Sequence, residues 1–316
     1  MTDIDALLLG ARVIPREGTG ALASVPLPRA VACSDDLWIG GERLTVRAFV
    51  RPAGAGAWIV DLRDSSEAVD VPGLPILGIE DVRIAAIAAF SDALRIEPAD
   101  ARLAARIELE TDASTWVGGP ACPCPAAERL FGVARVYDAI SGALALAWLD
   151  PGRAGSCSLG AIVTATDARG DALVDVVAGG RGGELQGPGD SAWPGPIITP
   201  GTPCNTLGVV IEHATRLDSG GVGARNGGDG VCARYTFTRA ATVRIALDRI
   251  TNPPHGLDRA GPPLWAAARL VPASGEPRSI DPWRLHDVAA GDRIEIDTAG
   301  GAGHGFPGWG IDFEWE

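Results

Sequence analysis

Residues 204–257 carry, in order, Asn205-Thr206, Asp218-Ser219-Gly220-Gly221-Val222-Gly223, Gly227-Gly228-Asp229-Gly230, Tyr235 and Phe237, Asp248-Arg249, and Pro253-Pro254-His255-Gly256-Leu257. The same half closes on Gly291-Asp292-Arg293-Ile294-Glu295-Ile296-Asp297-Thr298-Ala299-Gly300-Gly301-Ala302-Gly303-His304-Gly305. Short apolar runs between glycine and proline clusters are the signature of strands and turns. Strands are expected at residues 159–163, at 207–211, around Val243, Ile245 and Leu247, and around Ile294 and Ile296. The second half therefore reads as β-rich.

The first half reads differently. Leu44, Val46, Ala48 and Val50 alternate with Thr45, Arg47 and Phe49, as a half-buried strand requires. Pro52-Ala53-Gly54-Ala55-Gly56 turns the chain, and Trp58-Ile59-Val60-Asp61-Leu62 returns as its hairpin partner. Ile84, Ile87, Phe90 and Leu94 fall at helical spacing, with Pro98 beyond the end. A strand is expected at residues 103–109. A second helix is expected at 126–140, where Leu130, Val133, Tyr137 and Ile140 share a face. The class is α+β with mixed sheets. Its expected parts are an arm at residues 1–30, an α+β segment at 31–150 and a β-rich segment at 151–316.

Composition narrows the function. The 316 residues are 46% hydrophobic and 21% charged, which is globular rather than disordered. Forty acidic against 27 basic residues leave a formal net charge of -13, which argues against nucleic-acid binding. All 27 basic residues are arginine. Without lysine there is no Walker-type phosphate loop, no Schiff base and no Ser-x-x-Lys nucleophile. Any ATP used in the reaction must be bound by another chain. No uninterrupted apolar run approaches the roughly 18 residues of a membrane span. The start Met1-Thr2-Asp3-Ile4-Asp5 is acidic where an export signal is basic, so a cytoplasmic location without membrane contact is expected. The cysteines are Cys33, Cys122, Cys124, Cys157, Cys204 and Cys232, expected as thiols in that compartment. Cys122-Pro123-Cys124 has no second pair or nearby histidine to complete a zinc site, and no metal ligand is assigned.

The ordered series of motifs in the second half resembles the C-terminal half of the hydantoinase B/oxoprolinase family, whose relatives include N-methylhydantoinase B, 5-oxoprolinase and the acetone and acetophenone carboxylases. Residues 44–66 are similar to the family's mid-chain hairpin, with Asp61-Leu62-Arg63-Asp64-Ser65-Ser66 at its end. The segment with Arg135 and Asp138, and Val176-Val177-Ala178-Gly179-Gly180, also fit. The resemblance implies hydrolysis of a cyclic amide, or carboxylation of a ketone, within a complex. It implies ATP and a divalent metal on partner chains, with no cofactor on this one. Those partners are a hydantoinase A-like ATP-binding subunit and, where the assembly is split, a chain carrying the family's N-terminal half. That half holds an Asn-Asp-Pro-Tyr-x-Gly-Gly-x-His segment tied to metal and active site, and this chain reads as starting after it. Asp35-Asp36-Leu37-Trp38-Ile39-Gly40-Gly41-Glu42-Arg43 mimics the segment but ends in arginine, not histidine.

Two polar patches of the family are replaced here by Phe131-Gly132-Val133 and Trp193-Pro194-Gly195-Pro196. Such changes remove proton carriers and metal ligands. The expected function is thus a shortened B-type subunit of an ATP-dependent complex; the alternative is a structural or regulatory paralogue that retains the fold without the chemistry.

Five residues are assigned to substrate binding, and no catalytic residue is named. Asn205 and Thr206 can bond a substrate amide, or cap a turn. Asp248 and Arg249 read as a structural pair, or as an arginine clamp on a carboxylate. His255, like His304, stands where the resemblance implies an aromatic residue, so packing and stacking compete with ligand contact. Asp218-Ser219-Gly220-Gly221 looks like a serine-protease loop but has no arguable histidine and aspartate partners. Gly300-Gly301-Ala302-Gly303 presents its amides to an anion, or permits a close backbone crossing. Phe306, Trp309, Phe313 and Trp315 are core residues or interface anchors.

Overall fold

The computed structural model describes residues 30–54, 56–69, 73–95, 101–120, 124–147, 152–197 and 201–308. The expected N-terminal arm lies outside them, apart from Ala30. The chain divides into two compact units, residues 1–153 with 196–199 and residues 154–195 with 200–316.

The first unit is built on β1 (Val31–Ile39), β2 (Glu42–Gly54), β3 (Ala57–Asp61) and β4 (Ile107–Glu110), hydrogen-bonded in that order. The expected hairpin is present as β2–β3, with its register shifted between Pro52 and Gly54. Leu44, Val46, Ala48 and Val50 all point into the core, as their alternation requires. β1 was not anticipated. It forms because Gly40 and Gly41 both take positive φ, 60° and 95°, in a two-residue hairpin turn whose twist suits antiparallel strands. Asp35 to Arg43, the stretch that mimics the family's metal-bearing segment, is thus the tip of a hairpin, with its turn at Gly40-Gly41.

Helix α1 (Ile79–Leu94) crosses from β3 to β4, and such a crossover is what lets β4 run parallel to β3. The Asp81 carboxylate accepts the Gly78 amide at its start. Its core face is Val82, Ala85, Ala86, Ala89 and Phe90, while Ile84 is exposed. The small alanines let the helix lie close, and of the bulky residues at helical spacing Phe90 lies on the buried face while Ile87 and Leu94 are half-buried. The strand expected at 103–109 splits into a one-turn helix α2 (Ala101–Ala104) and β4, because the alanine-rich start favours helix. Helix α3 (Ala126–Ala147) runs a further two turns past its expected end and is buried on nearly every side. By length and composition alone it is apolar enough to cross a membrane, but its burial marks it as a core helix.

The second unit is a sandwich of two antiparallel sheets. One has the order β13-β10-β5-β6-β7 and the other β12-β11-β14-β9-β8. The first sheet comprises β5 (Ala161–Thr166), β6 (Ala172–Val177), β7 (Cys204–Asn205), β10 (Ala241–Leu247) and β13 (Leu285–Val288). The second comprises β8 (Val210–Thr215), β9 (Val231–Thr236), β11 (Ala267–Val271), β12 (Arg278–Ser279) and β14 (Arg293–Asp297). Both contribute to one core, including Val163, Leu173, Tyr235, Ile245, Leu270 and Ile296. The strand expected at 207–211 begins later, at Val210. Leu207 and Val209 are buried in the preceding turn, and β8 is an exposed sheet edge.

Beside the sandwich, glycine-rich segments with no regular ladder cross one another at backbone contact. Gly301 donates its amide to Gly228, Gly228 donates to Arg181, and Gly221 donates to Gly301. A Cβ on Gly301 would lie 2.0 Å from the Arg181 oxygen, and one on Gly227 would lie 1.9 Å from the Gly301 oxygen. No side chain fits there. Gly301→Ala is expected to lower stability by about 3 kcal/mol through backbone overpacking. Gly187, where an added Cβ meets nothing within 4 Å, should accept alanine within about 0.5 kcal/mol. Calorimetric melting of the two variants checks the contrast.

Candidate functional site

The most chemically unusual group in the sandwich is Asp175. Along β6 the inward positions are Leu173, Asp175 and Val177, so a carboxylate occupies a place in the apolar core. An unpaired charge there would be strongly destabilising. Two partners from the opposite sheet compensate it. The Tyr235 hydroxyl, inward on β9, donates to the Asp175 Oδ2 at 2.7 Å. His213, paired with Ala233 and so inward on edge strand β8, places Nε2 3.0 Å from the same oxygen. The histidine is part-exposed, and its ring meets Tyr235 edge-on at 6.1 Å between centroids. A buried carboxylate that holds an imidazole by one nitrogen leaves the other for solvent or a ligand, which is the arrangement of a proton carrier. The clue in the sequence was an acid on the inward side of an otherwise apolar strand.

The first unit buries its own charge. Arg135 on α3 reaches Asp35 of β1 at 2.7 Å and Asp138 one turn on at 3.4 Å, all three being buried. Asp92 accepts a hydrogen bond from Tyr137 at 2.7 Å and pairs with Arg153.

Of the five residues assigned to substrate, three come together. Arg249 is buried, with φ of 63°, and its guanidinium donates to the Ser156 and Asn252 carbonyls, each at 3.3 Å. Asp248 approaches its Nε at 3.9 Å. His255 is exposed, and its carbonyl accepts the Gly155 amide at 2.9 Å, beside Ser156. Asn205 and Thr206 lie elsewhere. Asn205 grips Val209 with both ends of its amide, at 2.7 and 3.0 Å, and the Thr206 hydroxyl bonds the Ala172 backbone. Asp248 follows Leu247, opposite Ala161, whereas Asn205 pairs with Leu173, opposite Ala165. Four residues along β5 and three strands across separate the two groups by roughly 20 Å.

The remaining candidates take internal roles. Ser219 is fully buried, its hydroxyl donating to the Arg216 carbonyl at 2.6 Å and accepting the Gly230 amide at 2.9 Å. The two amides that resemble an oxyanion hole, those of Ser219 and Gly220, both donate to Asp229 at 2.9 Å. The amides of Gly301, Ala302, Gly303 and Gly305 donate to backbone carbonyls, so this stretch is a crossing and not an anion cradle. His304 is buried between Arg225 and Leu257, with Asp258 at 3.7 Å. Among the described residues no group of three or more histidine, cysteine, aspartate or glutamate side chains is placed to hold a metal. Cys122 and Pro123 lie outside the described residues, as do Trp309, Phe313 and Trp315.

A family model described as Hydantoinase B/oxoprolinase matches residues 19–307. Among solved structures the chain is similar to an acetone carboxylase, with a TM-score of 0.65 and 13% identity over 88% of this chain and 45% of that one. It is also similar to an ATP-dependent caprolactamase from Pseudomonas jessenii, with a TM-score of 0.65 and 18% identity over 90% of this chain and 53% of that one. At such identities these likenesses establish the fold. An uncharacterized protein of Schizosaccharomyces pombe is 33% identical over 113 residues, 33% of this chain and 8% of that protein. One of Methanocaldococcus jannaschii is 30% identical over 99 residues, 31% of this chain and 17% of that protein. The chain spans about half the length of the solved chains, and its matches cover a smaller share of the curated proteins.

Both tyrosines of the chain are buried against a carboxylate. Burial, then the charge of Asp175, raises the Tyr235 phenol well above its ordinary value. Burial, then Asp92, does the same to Tyr137, with Arg153 opposing. The native chain should therefore show no phenolate absorbance as pH passes about 10. Because only the unfolded chain loses those protons, stability should fall above that pH and phenolate appear with unfolding. Alkaline titration read by absorbance and circular dichroism checks this. Tyr235→Phe, which strips a donor from a buried carboxylate, should cost about 1–3 kcal/mol in a denaturant melt.

Proposed function

The chain belongs to the hydantoinase B/oxoprolinase family, and from that premise we propose that it serves as a B-type component of a heteromeric enzyme that opens a cyclic amide with ATP. Carboxylation of a ketone is the related chemistry open to the same assembly. The carrying observation is the family match over residues 19–307, supported by a shared fold with an acetone carboxylase and an ATP-dependent caprolactamase. The absence of lysine agrees with ATP being bound elsewhere. In the proposed assembly a hydantoinase A-like chain binds ATP and phosphorylates an amide or enolate oxygen, making it a leaving group. The divalent metal is carried by a partner chain of the same assembly. The assembly acts in the cytoplasm. On this chain the end of the sandwich with Asp248, Arg249 and His255 faces the ligand. His255 is the member exposed for contact, and Arg249 positions the Ser156 segment beneath it.

A second reading, a structural or regulatory paralogue, is favoured by the two altered patches. Phe131 is fully buried in the first unit, and Trp193 lies under the Arg181 guanidinium at 5.8 Å. Both positions serve packing.

Affinity purification from the native host, with mass spectrometry of co-eluting chains, separates the two readings. The expected result is recovery with a larger ATP-binding chain, and ATP-dependent ring opening or carboxylation by the recovered complex. Recovery of this chain alone would sink the subunit reading. Arg249→Ala leaves buried carbonyls without donors and should cost about 2–3 kcal/mol of stability. His255→Ala should keep the melting temperature and lower turnover of the assembled complex; unchanged turnover would remove His255 from the site.

A further inference from the structure

The second unit carries an exposed apolar band that the proposed chemistry does not use. Leu217 is 76% exposed, Val222 59%, Leu264 52%, Trp265 55% and Phe306 47%. Main-chain bonds hold their segments side by side. The Leu264 amide donates to the Ser219 carbonyl, the Gly261 amide to Val222, and the Ala224 amide to Gly305, just before Phe306. Large apolar groups gathered on adjoining segments mark a surface that another protein covers.

The polar groups around the band indicate the chemistry of that cover. Arg216, Arg225 and Arg259 border it, and none of the three has an ion-pair partner among the described residues. Arg216 spends one guanidinium nitrogen, Nη1, on the Trp265 and Thr298 carbonyls, at 2.7 and 3.0 Å. Arg225 gives only its Nε, to the Leu185 carbonyl at 3.4 Å, and Arg259 is exposed. Three guanidinium edges without a carboxylate are informative in a chain where 40 acids outnumber 27 arginines. The acids close by are turned to other groups. Glu184 pairs with Arg181 at 2.6 Å, Asp229 accepts the Ser219 and Gly220 amides, and Asp258 lies 3.7 Å from His304. Planar guanidinium donors at a rim match carboxylates, which accept them in pairs. A second copy docked patch to patch would set these donors against the same donors.

We propose that the band of Leu217, Val222, Leu264, Trp265 and Phe306 docks a partner chain of the assembly described above, through an apolar surface bordered by carboxylates. Trp265 is its apolar anchor, and Arg225 and Arg259 take the carboxylates. The proposal rests on the subunit reading.

Oxidative footprinting of the assembly recovered from the native host, read residue by residue against the isolated chain, tests it. Labelling of Leu264, Trp265 and Phe306 should fall several-fold in the assembly, and that of buried Leu270 should not change. Arg225→Glu with Arg259→Glu should keep the melting temperature and weaken assembly by roughly tenfold or more. Arg225→Lys with Arg259→Lys should weaken it less, and Trp265→Ser should weaken it at unchanged melting temperature. Equal labelling in an intact assembly would overturn the docking and leave the subunit reading standing. Recovery of the chain alone would overturn both. Protection in the isolated chain that disappears on dilution along with a dimer mass would make the cover a second copy, and so overturn the proposal.

Discussion

Where Gly301 passes Arg181, a methyl group would come within 2.0 Å of a backbone oxygen. That spacing limit organises the second unit. Segments from five parts of the chain, around residues 155, 181, 221, 228 and 301, hydrogen-bond one another through main-chain groups where no regular sheet exists. Buried amides and carbonyls demand partners, and here they find them only because the segments can approach without side chains between them. The sandwich, its loops and the surfaces they present are held in register by this crossing.

The crossing also explains why several suggestive motifs carry no chemistry. Ser219 lies in one of the crossing segments, so its hydroxyl satisfies backbone groups on both sides, and Asp229 fills the amides beside it. The amides of Gly301, Ala302 and Gly303 donate to carbonyls in place of an external anion. Polar groups with potential for chemistry sit instead where the crossing and the sandwich end. Asp175 and His213 meet at an open sheet edge, and His255 is exposed beside the Arg249-braced segment.

Charge buried within each unit has a similar logic. Asp175 is compensated across two sheets, and Arg135 across a helix and a strand. A buried ion pair adds little net stability, yet removing one partner is strongly destabilising. Each cluster therefore penalises wrong pairings of the elements it joins more than it stabilises the right one.

Sequence alone determined the α+β class, the β2–β3 hairpin, helix α3 and the family, because alternation, helical period and the order of glycine motifs are local patterns that survive without coordinates. It left the glycines near residue 301 as either an anion cradle or a close backbone crossing, and the hydrogen bonds of their amides to backbone carbonyls decided for the crossing. Of the buried face of α1 it caught Phe90 but not the alanines, because closeness of approach decided which other residues turned inward. The β1–β2 turn at Gly40-Gly41 was present in the letters but masked by its likeness to another motif. Which candidate residues share a site was decided only by tertiary structure. Asn205 and Asp248 belong to opposite ends of one sheet, while Asp175, His213 and Tyr235 meet from three strands. Proximity between distant positions depends on strand order and register, and no local pattern encodes those.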